Sequence, residues 1–488
     1  MSAESSSPLL ILALDAGDPG RLLPWARESK LPTLASMLEL GTAAEVFGRQ
    51  SVSVHGIWAT LFSGRSLAQH GGYARRTLKP GTYQLESVPP ASDRAAPFWA
   101  RLDDPSTEVL VIDAPETALV PGLPGRQIAR WGEHNSTRPI CEPPELAEEV
   151  ERLVGPPIPT DEKQRGGSWR DRRILARILE RVERKGRLCR ALLDERLADI
   201  VVVGFGDTHA AGHRFGKYES AGKGLADAVL RVYQAIDREV AALIEHFESP
   251  PNVFVMADSG IREGQPLGTL MDDLCQHLGY KKPLDPIRAS PLQARLRAAL
   301  RPLLSSSSHK AWQEARFLGN TDWSQTSVFA IPATYTGYLR VNLEGREPEG
   351  IVKPGTEYSE LLARLTADLE LLEDRKTGSP VVDSVTLTTE VFGAEPPLQL
   401  PDLFVEFRPC TLPQEIFHPR MTLTRHRGGS LRDNSHSRRG LVLAAGPDIA
   451  HHGIVDDLGP TEVTPLFRAA LGETIAADAG RRVDSFIA

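Results

Sequence analysis

In DIVVVGFGDTHAAGH, residues 199–213, a run of Val, Ile and Phe passes directly into Asp and His residues. A run without apolar–polar alternation is typical of a strand buried on both faces of a parallel sheet. Other runs of this kind are LLILAL before Asp15, VLVIDAP around Asp113, NVFVMAD ending at Asp258 and LVLAAG ending at Gly446. The sequence therefore predicts a sheet of short, fully buried strands.

Helical patterns alternate with these runs. They cover Pro32 to Leu40, Asp171 to Leu197, Leu225 to Phe247 and Tyr358 to Leu372. This β-α-β-α order predicts an α/β fold with a doubly wound, mostly parallel sheet flanked by helices. Ligands of such folds bind beyond the carboxyl ends of the strands. The titratable residues at or just after those predicted ends are Asp15, Asp207, His209 and Asp258.

The composition excludes several classes of protein. Of the 488 residues, 41% are hydrophobic and 25% are charged, so most of the chain is expected to fold. The 56 Lys and Arg residues against 64 Asp and Glu residues give a net charge of −8, which offers no general attraction for nucleic acid duplexes or anionic membranes. No apolar run approaches the roughly 20 residues of a membrane span. We therefore expect neither a membrane nor a nucleic acid duplex as a partner.

The length and patterning predict one large catalytic domain over residues 1–488. Residues 114–168 are rich in Pro and Gly and predict a lid insertion, whereas residues 281–326, with their serine run, predict a small insertion or connection. The N-terminal segment lacks a basic region and a small-residue cleavage pattern, and the four cysteines form no CxxC pair. These features predict a cytoplasmic protein without disulfides or a zinc knuckle.

His209 and His213 are four residues apart after the predicted strand, a spacing that lets two imidazoles on one helical face share a metal ion. The Glu of the metalloprotease HExxH motif is absent, because Ala210 stands there. A dinucleotide-binding motif is also excluded, since the third glycine after Gly204 and Gly206 is missing. The alternative is a pair of surface histidines on a loop.

Asp15 and Asp258 each follow a predicted buried strand, a position from which a carboxylate can bind a metal ion. Each residue also has a structural alternative. Asp15 can cap the next helix, although Asp18 is the better candidate for that role. Asp258 can form a turn before Gly260.

Residues 49–64, RQSVSVHGIWATLFSG, place hydroxyl side chains before an apolar segment with a helical pattern. The N-terminus of a helix favours a phosphate-like ligand and lowers the energy of a serine alkoxide. Ser53 is therefore a candidate nucleophile, with plain N-capping as the alternative.

A third imidazole is available from His436, in a basic loop just before the run LVLAAG. Its position beside a predicted buried strand makes it a candidate metal ligand. The histidines that compete with it are His418, His426, His451 and His452.

Taken in order, these segments resemble the alkaline phosphatase superfamily, and within it the type I phosphodiesterase/nucleotide pyrophosphatase-like family. The opening LALDAGD resembles the first-strand metal Asp of the family, and IWATLFSGRSLAQHGGY resembles the signature that follows its nucleophile. The further matching segments are FGDTHAAGH, VFVMADSG, GYLRVNLEGREPEGIVKPG, LPDLFVEF, HSRRGLVLAAGPDI and IVDDLGPTEVTPLF. The similarity extends from about residue 9 to 470 and implies the alkaline phosphatase-like fold.

The resemblance also implies two divalent metal ions that grip a phosphoryl centre. Three imidazoles would hold one ion, which we expect to be zinc: those of His209, His213 and His436. Asp15, Asp258 and the oxygen of the nucleophile would hold the other.

Three positions depart from the family pattern. His209 replaces an Asp, which gives an all-imidazole site that still suits zinc. Ser259 replaces a His, so the second site has oxygen ligands and accepts Mg²⁺, Mn²⁺ or Ca²⁺ as well as zinc. Val54 stands where the nucleophile is expected, four residues before Trp58.

A one-residue insertion before the aromatic residue would make Ser53 the nucleophile, and Ser51 is the alternative. Arg49 would then contact a substrate oxygen as a charged donor. Asp207 or Asp433 is available to compensate for the missing imidazole.

The resemblance implies a metal-dependent hydrolase of small anionic phosphate esters, with a phosphodiester as the first expectation. Within the same chemistry the alternatives are a phosphomonoester, phosphonate or sulfate ester hydrolase. From a different class, the alternative is a non-catalytic protein that binds a metal or ligand and has kept only the fold.

Overall fold

A computed structural model describes residues 7–88, 93–132, 138–160, 167–264, 266–284, 321–408, 415–424, 434–475 and 480–488. The strands are β1 Leu9–Leu14, β2 Thr42–Val46, β3 Arg76–Leu78, β4 Leu85–Ser87, β5 Val109–Ile112, β6 Gly125–Ala129, β7 Ile140–Glu142, β8 Ile200–Phe205, β9 Asn252–Ala257, β10 Gly260–Glu263, β11 Val328–Ile331, β12 Gly337–Val341, β13 Glu373–Asp374, β14 Val382–Leu387, β15 Leu403–Phe407, β16 Glu415–His418, β17 Met421–Thr424, β18 Asn434–Ser437, β19 Gly440–Ala445 and β20 Gly453–Ile454.

The α-helices are α1 Pro19–Arg27, α2 Pro32–Leu40, α3 Ile57–Ser63, α4 Leu67–His70, α5 Leu146–Val154, α6 Ser168–Glu195, α7 Asp207–Ala221, α8 Ala228–Ile244, α9 Met271–His277, α10 Thr356–Glu370, α11 Thr388–Phe392, α12 Val463–Ala470 and α13 Gly480–Val483. Short 3₁₀ helices cover Asp93–Ala95, Phe98–Ala100, Gly268–Leu270, Trp323–Gln325 and Pro460–Glu462. Among the described residues, no helix is both long and apolar enough to cross a membrane.

The chain divides into two compact units. The main unit comprises Met1–His70, Pro89–Glu263 and His436–Ala488, and the second unit comprises Gly71–Val88 and Gly264–Ser435. The expectation of one domain over residues 1–488 is not decided by this division and stays a prediction.

The main unit is built on a nine-stranded sheet with the strand order β20-β2-β19-β9-β1-β8-β5-β6-β7. Strand β1 lies in its middle and pairs in parallel with β8 and β9. Alternate residues of β1 enter different cores: Leu10 and Leu12 pack with residues of α6, α7 and α8, whereas Leu9 and Ile11 pack with residues of α3 and α12. Burial on both faces explains the unbroken apolar run. The predicted α/β fold, with a mostly parallel sheet flanked by helices, is confirmed.

Strand β19 runs against its neighbours. The sequence predicts the strand LVLAAG, but the alternation of elements does not predict its direction. It is antiparallel to both β9 and β2. Consequently, the start of β19 lies at the same edge of the sheet as the carboxyl ends of β9 and β2, since Gly440 pairs with Val46 and Leu441 with Ala257.

The segment 114–168, predicted as a lid, contains elements of the main unit. Strand β6 pairs in parallel with β5, and β7 pairs antiparallel with β6 at the border of the sheet. Helix α5 contributes the buried Leu146 and Val150 to the same core as α6. The described part of the segment thus extends the sheet, and a lid role stays a prediction. Of the segment 281–326, all but residues 281–284 and 321–326 lies outside the described residues.

The second unit contains a four-stranded antiparallel sheet in the order β11-β12-β15-β14. Its core includes residues of α9 and α10.

The stretch GREPEGIV, part of one segment that resembles the family, has contacts in the second unit that explain why particular residues stand in it. Glu347 accepts hydrogen bonds from Arg340 Nε at 2.7 Å and from Arg346 Nε at 2.9 Å. A Cβ atom on Gly350 would lie 2.1 Å from the carbonyl oxygen of Leu343, so only glycine fits.

Candidate metal centre

The candidate site lies at the edge of the main sheet where the parallel strands end. Asp15 directly follows β1, helix α7 begins two residues after β8, and Asp258 directly follows β9. The loop after β2 and the residues before β19 reach the same edge because of the antiparallel pairing of these two strands. The expectation that ligands bind beyond the carboxyl ends of the strands therefore leads to this edge.

Three imidazoles meet at this edge. His209 and His213 lie one turn apart on α7, with ring centroids 4.5 Å from each other. His436 completes the group, and each of the three residues offers a ligand atom within 4.8 Å of the others. The Nε2 atoms of His213 and His436 are 3.1 Å apart. The structure thus brings together the three histidines for which the sequence predicts one site, which we call the His half.

The geometry of the His half suits a tetrahedral ion. Zinc bonds of about 2.0–2.1 Å to two nitrogens at the tetrahedral angle hold those nitrogens about 3.3–3.4 Å apart. The observed 3.1 Å between the Nε2 atoms is close to that value. His209 and His213 are buried and His436 is half-buried, so the ligands are shielded while one side remains reachable. Within the described part of the chain, this is the one cluster of three or more residues that can hold a metal ion.

Two carboxylates at the same edge of the sheet form what we call the Asp half, those of Asp15 after β1 and Asp258 after β9. Oδ1 of Asp258 accepts a hydrogen bond from the backbone N–H of Ala16 at 2.8 Å. Oδ1 of Asp15 accepts one from Trp58 Nε1 at 3.4 Å. Burial, followed by the negative charge of Asp15, raises the pKa of Asp258 well above its usual range, and the charge of Glu116 adds to this effect. A cation between the two carboxylates would relieve their repulsion.

Ser259 joins the two halves. Its Oγ donates a hydrogen bond to Oδ2 of Asp258 at 3.0 Å and lies 3.2 Å from Nδ1 of His436. One residue further on, the backbone N–H of Gly260 donates to Oγ of Ser437 at 3.0 Å. The position where the family resemblance predicts an imidazole is thus filled by a hydroxyl that contacts both halves.

The candidate nucleophile lies in the loop between β2 and α3. Helix α3 begins at Ile57 with Gly56 as its N-cap, so the alternative of N-capping by Ser53 is wrong. Oγ of Ser53 instead accepts a hydrogen bond from the backbone N–H of His55 at 3.1 Å. Ser51 Oγ accepts from Gly48 N at 3.1 Å.

Both serines of this loop are buried, whereas Arg49 is exposed in the turn after β2. The described contacts therefore do not distinguish the two hydroxyls as nucleophiles. The roles of Ser53 and Arg49 stay predictions.

The sequence reasoning missed two residues of this region. Glu116 has a positive φ of 52°, and its Oε2 accepts a hydrogen bond from Gly56 N at 3.0 Å. Arg438 Nη1 donates to the carbonyl oxygen of Ser51, which ties the loop of the candidate nucleophile to the segment that carries His436. Glu116 comes four residues after the strand VLVI, so the rule that ligands bind beyond the carboxyl ends of strands could have pointed to it. No sequence signal singled out Arg438.

Buried ion pairs anchor the helix that carries two of the histidines. Asp207, the first residue of α7, accepts a hydrogen bond from Arg181 Nε at 2.7 Å, and both side chains are fully buried. Arg214, next to His213, pairs with the equally buried Asp171 at 2.5 Å. Oδ1 of Asp207 is thereby engaged with Arg181, and Asp207 is not part of the histidine cluster. Asp433 lies outside the described residues.

The competing histidines lie elsewhere where they are described. His418 belongs to the second unit and pairs with Asp368. His451 and His452 are exposed and are not part of the cluster. His426 lies outside the described residues.

Comparisons with known proteins agree with this architecture. The model of the family "Type I phosphodiesterase / nucleotide pyrophosphatase" matches residues 9–296, more than half of the chain. No curated protein matches the chain. Among solved structures, phosphonoacetate hydrolase from Sinorhizobium meliloti 1021 in complex with phosphonoformate is similar, with a TM-score of 0.51 and 13% identity over 96% of both chains.

Murine ectonucleotide pyrophosphatase / phosphodiesterase 5 is also similar, with a TM-score of 0.50 and 12% identity over 98% of this chain and 100% of the other. At such low identity both likenesses concern the fold alone.

Proposed function

Because the chain belongs to the type I phosphodiesterase / nucleotide pyrophosphatase family, we propose that it is a metal-dependent hydrolase of small phosphate esters, with phosphodiesters as its first substrates. The observation that carries this proposal is the cluster of three imidazoles, which Ser259 links to the carboxylate of Asp258 at the edge of the sheet where Asp15 also lies. A metal-ligating group beside a carboxylate pair suits phosphoryl transfer, because negative charge develops on both apical oxygens of an in-line displacement.

The proposed cofactors are two divalent ions. His209, His213 and His436 would hold zinc, since three neutral nitrogen ligands leave a fourth position open. Asp15, Asp258 and the nucleophile oxygen would hold zinc, Mg²⁺, Mn²⁺ or Ca²⁺, because oxygen ligands accept all of these. When bound, the ions supply positive charge beside the phosphoryl oxygens and the nucleophile.

The proposed nucleophile is Ser53. Its Oγ attacks phosphorus, the bond from phosphorus to the ester oxygen breaks, and the released alcohol takes up a proton. Water then attacks phosphorus, the bond from phosphorus to Oγ breaks, a proton of the water returns to Oγ, and the phosphate is released. Arg49 is the proposed contact to a substrate oxygen, and its exposed position leaves its side chain free to turn toward an anion. The assignment of Ser53 is supported by Trp58, the second residue of α3, whose indole N–H donates a hydrogen bond to Asp15.

We also propose a cytoplasmic location. Cys141, Cys189 and Cys275 are all buried and free, which is typical of a reducing compartment.

The test of the proposed function combines metal analysis with a substrate panel. The panel contains nitrophenyl phosphomonoesters and phosphodiesters, a sulfate ester and phosphonoacetate, the last because one structural neighbour is a phosphonoacetate hydrolase. The panel is run with the unmodified chain and with Ser53→Ala, Ser51→Ala, His213→Ala and the exposed control His451→Ala.

We expect phosphodiester turnover that falls at least about a thousandfold in Ser53→Ala, with zinc retained. His213→Ala should lose both zinc and turnover, and His451→Ala should keep both. Loss of turnover in Ser51→Ala alone would move the nucleophile to Ser51. Zinc binding without turnover of any ester would instead support a non-catalytic binding protein, the alternative that Val54 at the expected nucleophile position favours.

A further inference from the structure

Ser259 makes two polar contacts that lead from one half of the site to the other. Its Oγ donates to Asp258 Oδ2 at 3.0 Å and lies 3.2 Å from His436 Nδ1. The side chain is 1% exposed, so water does not compete for either contact. The family resemblance provides no role for a hydroxyl at this position, because it predicts a metal-ligating imidazole there.

The hydroxyl has a single hydrogen, and this limits the protonation of His436. When Asp258 is ionised, as it would be beside a cation, its carboxylate can only accept, so the hydroxyl hydrogen points to it and Oγ can only accept on its other side. The contact to His436 then requires a hydrogen on Nδ1. An imidazole with its hydrogen on Nδ1 carries its lone pair on Nε2, and this is the atom that lies 3.1 Å from Nε2 of His213.

The carboxylate that receives the hydroxyl is itself held in place. Oδ1 of Asp258 accepts the backbone N–H of Ala16 at 2.8 Å. The neighbouring backbones are also held together, because Gly260 N donates to Ser437 Oγ at 3.0 Å. A continuous chain of hydrogen bonds therefore runs from the end of β1 through Asp258 and Ser259 to His436.

We propose that Ser259 is a positioning residue, which fixes the Nδ1–H tautomer of His436 and thereby directs its Nε2 toward the metal of the His half. Partners on the second nitrogen of a ligating histidine typically change metal affinity by about 10- to 100-fold. This inference rests on metal binding by the His half of the proposed function, but it does not require that the protein hydrolyse an ester.

The first test measures zinc affinity by competition with a chromophoric chelator, for the unmodified chain, Ser259→Ala and Ser259→Thr. We expect Ser259→Ala to bind zinc about 10- to 100-fold more weakly, and Ser259→Thr, which keeps the hydroxyl, to stay within about threefold of the unmodified chain. Equal affinity in all three proteins would overturn the proposal. Circular dichroism of each variant checks that the fold is retained.

The second test reads the tautomer directly and does not depend on the alanine variant. In protein labelled with ¹⁵N-histidine, long-range ¹⁵N–¹H correlation identifies the protonated nitrogen of His436, whose signal is assigned by its loss in His436→Gln. We expect hydrogen on Nδ1 in the unmodified metal-free chain. Hydrogen on Nε2 in that protein would overturn the proposal.

Asp258→Asn makes this second test sharper. The amide oxygen should accept from Ala16 N, which leaves the NH₂ group to donate to Ser259. The Ser259 hydroxyl must then donate to His436, so we expect the hydrogen to move to Nε2. A tautomer that does not change would show that Ser259 does not control it.

Failure of this proposal is distinguishable from failure of the proposed function. A chain that binds zinc with the expected dependence on Ser259 but hydrolyses no ester would refute only the hydrolase. A chain that hydrolyses esters but shows zinc affinity independent of Ser259 would refute only the positioning role.

Discussion

The His half and the Asp half of the candidate site are adjacent, but they are prepared for a metal ion in different ways. The His half consists of three imidazole rings, two of them on a helix anchored by buried ion pairs. The Asp half has two carboxylates that raise each other's energy and are held by one backbone N–H, one indole N–H and the hydroxyl of Ser259. The fold itself assembles the first half, whereas the second needs a cation to offset its own charge.

The largest effect should come from removing a ligand of either half and counting the bound metal. We expect His213→Ala to weaken binding of the first zinc equivalent by more than about 100-fold, because only two imidazoles remain and the loss of a hydrogen-bond partner of a ligand can by itself reach that size. Asp15→Asn should leave that equivalent within about threefold and abolish the second one. Isothermal titration of the metal-free protein measures both, and equal losses of the first equivalent in the two variants would remove the distinction between the halves.

The buried ion pair between Arg181 and Asp207, which anchors α7, can be removed without changing any of the three histidines. Arg181→Met leaves Asp207 buried and without its cation, so we expect the free energy of unfolding to fall by about 3–5 kcal/mol. The double variant Arg181→Met/Asp207→Leu removes both charges and should recover most of that loss. Urea denaturation of the three proteins tests this, and a single variant as stable as the unmodified chain would contradict the anchoring role.

His70, a buried histidine outside the candidate metal site, is also expected to make the free energy of unfolding depend on pH. Burial lowers the pKa of His70 to about 4, and its Nε2 lies 2.9 Å from Thr60 Oγ1. Because the unfolded chain binds this proton at a pKa of about 6.5, stability is lost as the pH falls from about 6.5 to about 4, by about 3 kcal/mol in total.

His70→Gln should flatten this part of the pH dependence while the zinc affinity of the His half is unchanged. Denaturation midpoints of the metal-free proteins between pH 7 and pH 4 would measure it. An unchanged slope in the variant would assign the acid sensitivity to other groups.

The smallest effect should come from the indole that supports the Asp half. Trp58 Nε1 donates to Asp15 at 3.4 Å, a long hydrogen bond. Trp58→Phe removes the donor and keeps an aromatic ring, so we expect the second metal equivalent to bind about 2- to 10-fold more weakly and the first to be unaffected. Titration with Mn²⁺ followed by electron paramagnetic resonance reports the second equivalent, and a larger loss at the first one would contradict the separation of the halves.

The sequence was sufficient to predict the parts of the site that depend on local periodicity. The unbroken apolar runs predicted β1, β8 and β9, and the rule of strand ends led to Asp15 and Asp258. The i, i+4 spacing predicted that His209 and His213 share one face of a helix, which α7 provides. These inferences succeed because a strand end and a helical face are fixed by neighbours in the sequence.

The remaining features depend on contacts between distant parts of the chain. The antiparallel direction of β19 brings His436 to the site, but an apolar run carries no information about direction. The contact of Ser259 with His436 joins residues 177 positions apart. The sequence shows that Ser259 stands where the family pattern has a His. Only the folded chain shows which groups its hydroxyl contacts.

Anomalous diffraction at the zinc edge from crystals of the zinc-loaded protein would locate the bound ion. We expect a strong peak about 2.0–2.1 Å from a ring nitrogen of each of His209, His213 and His436. Zinc bound at other residues, with the three rings not in contact with any ion, would contradict it.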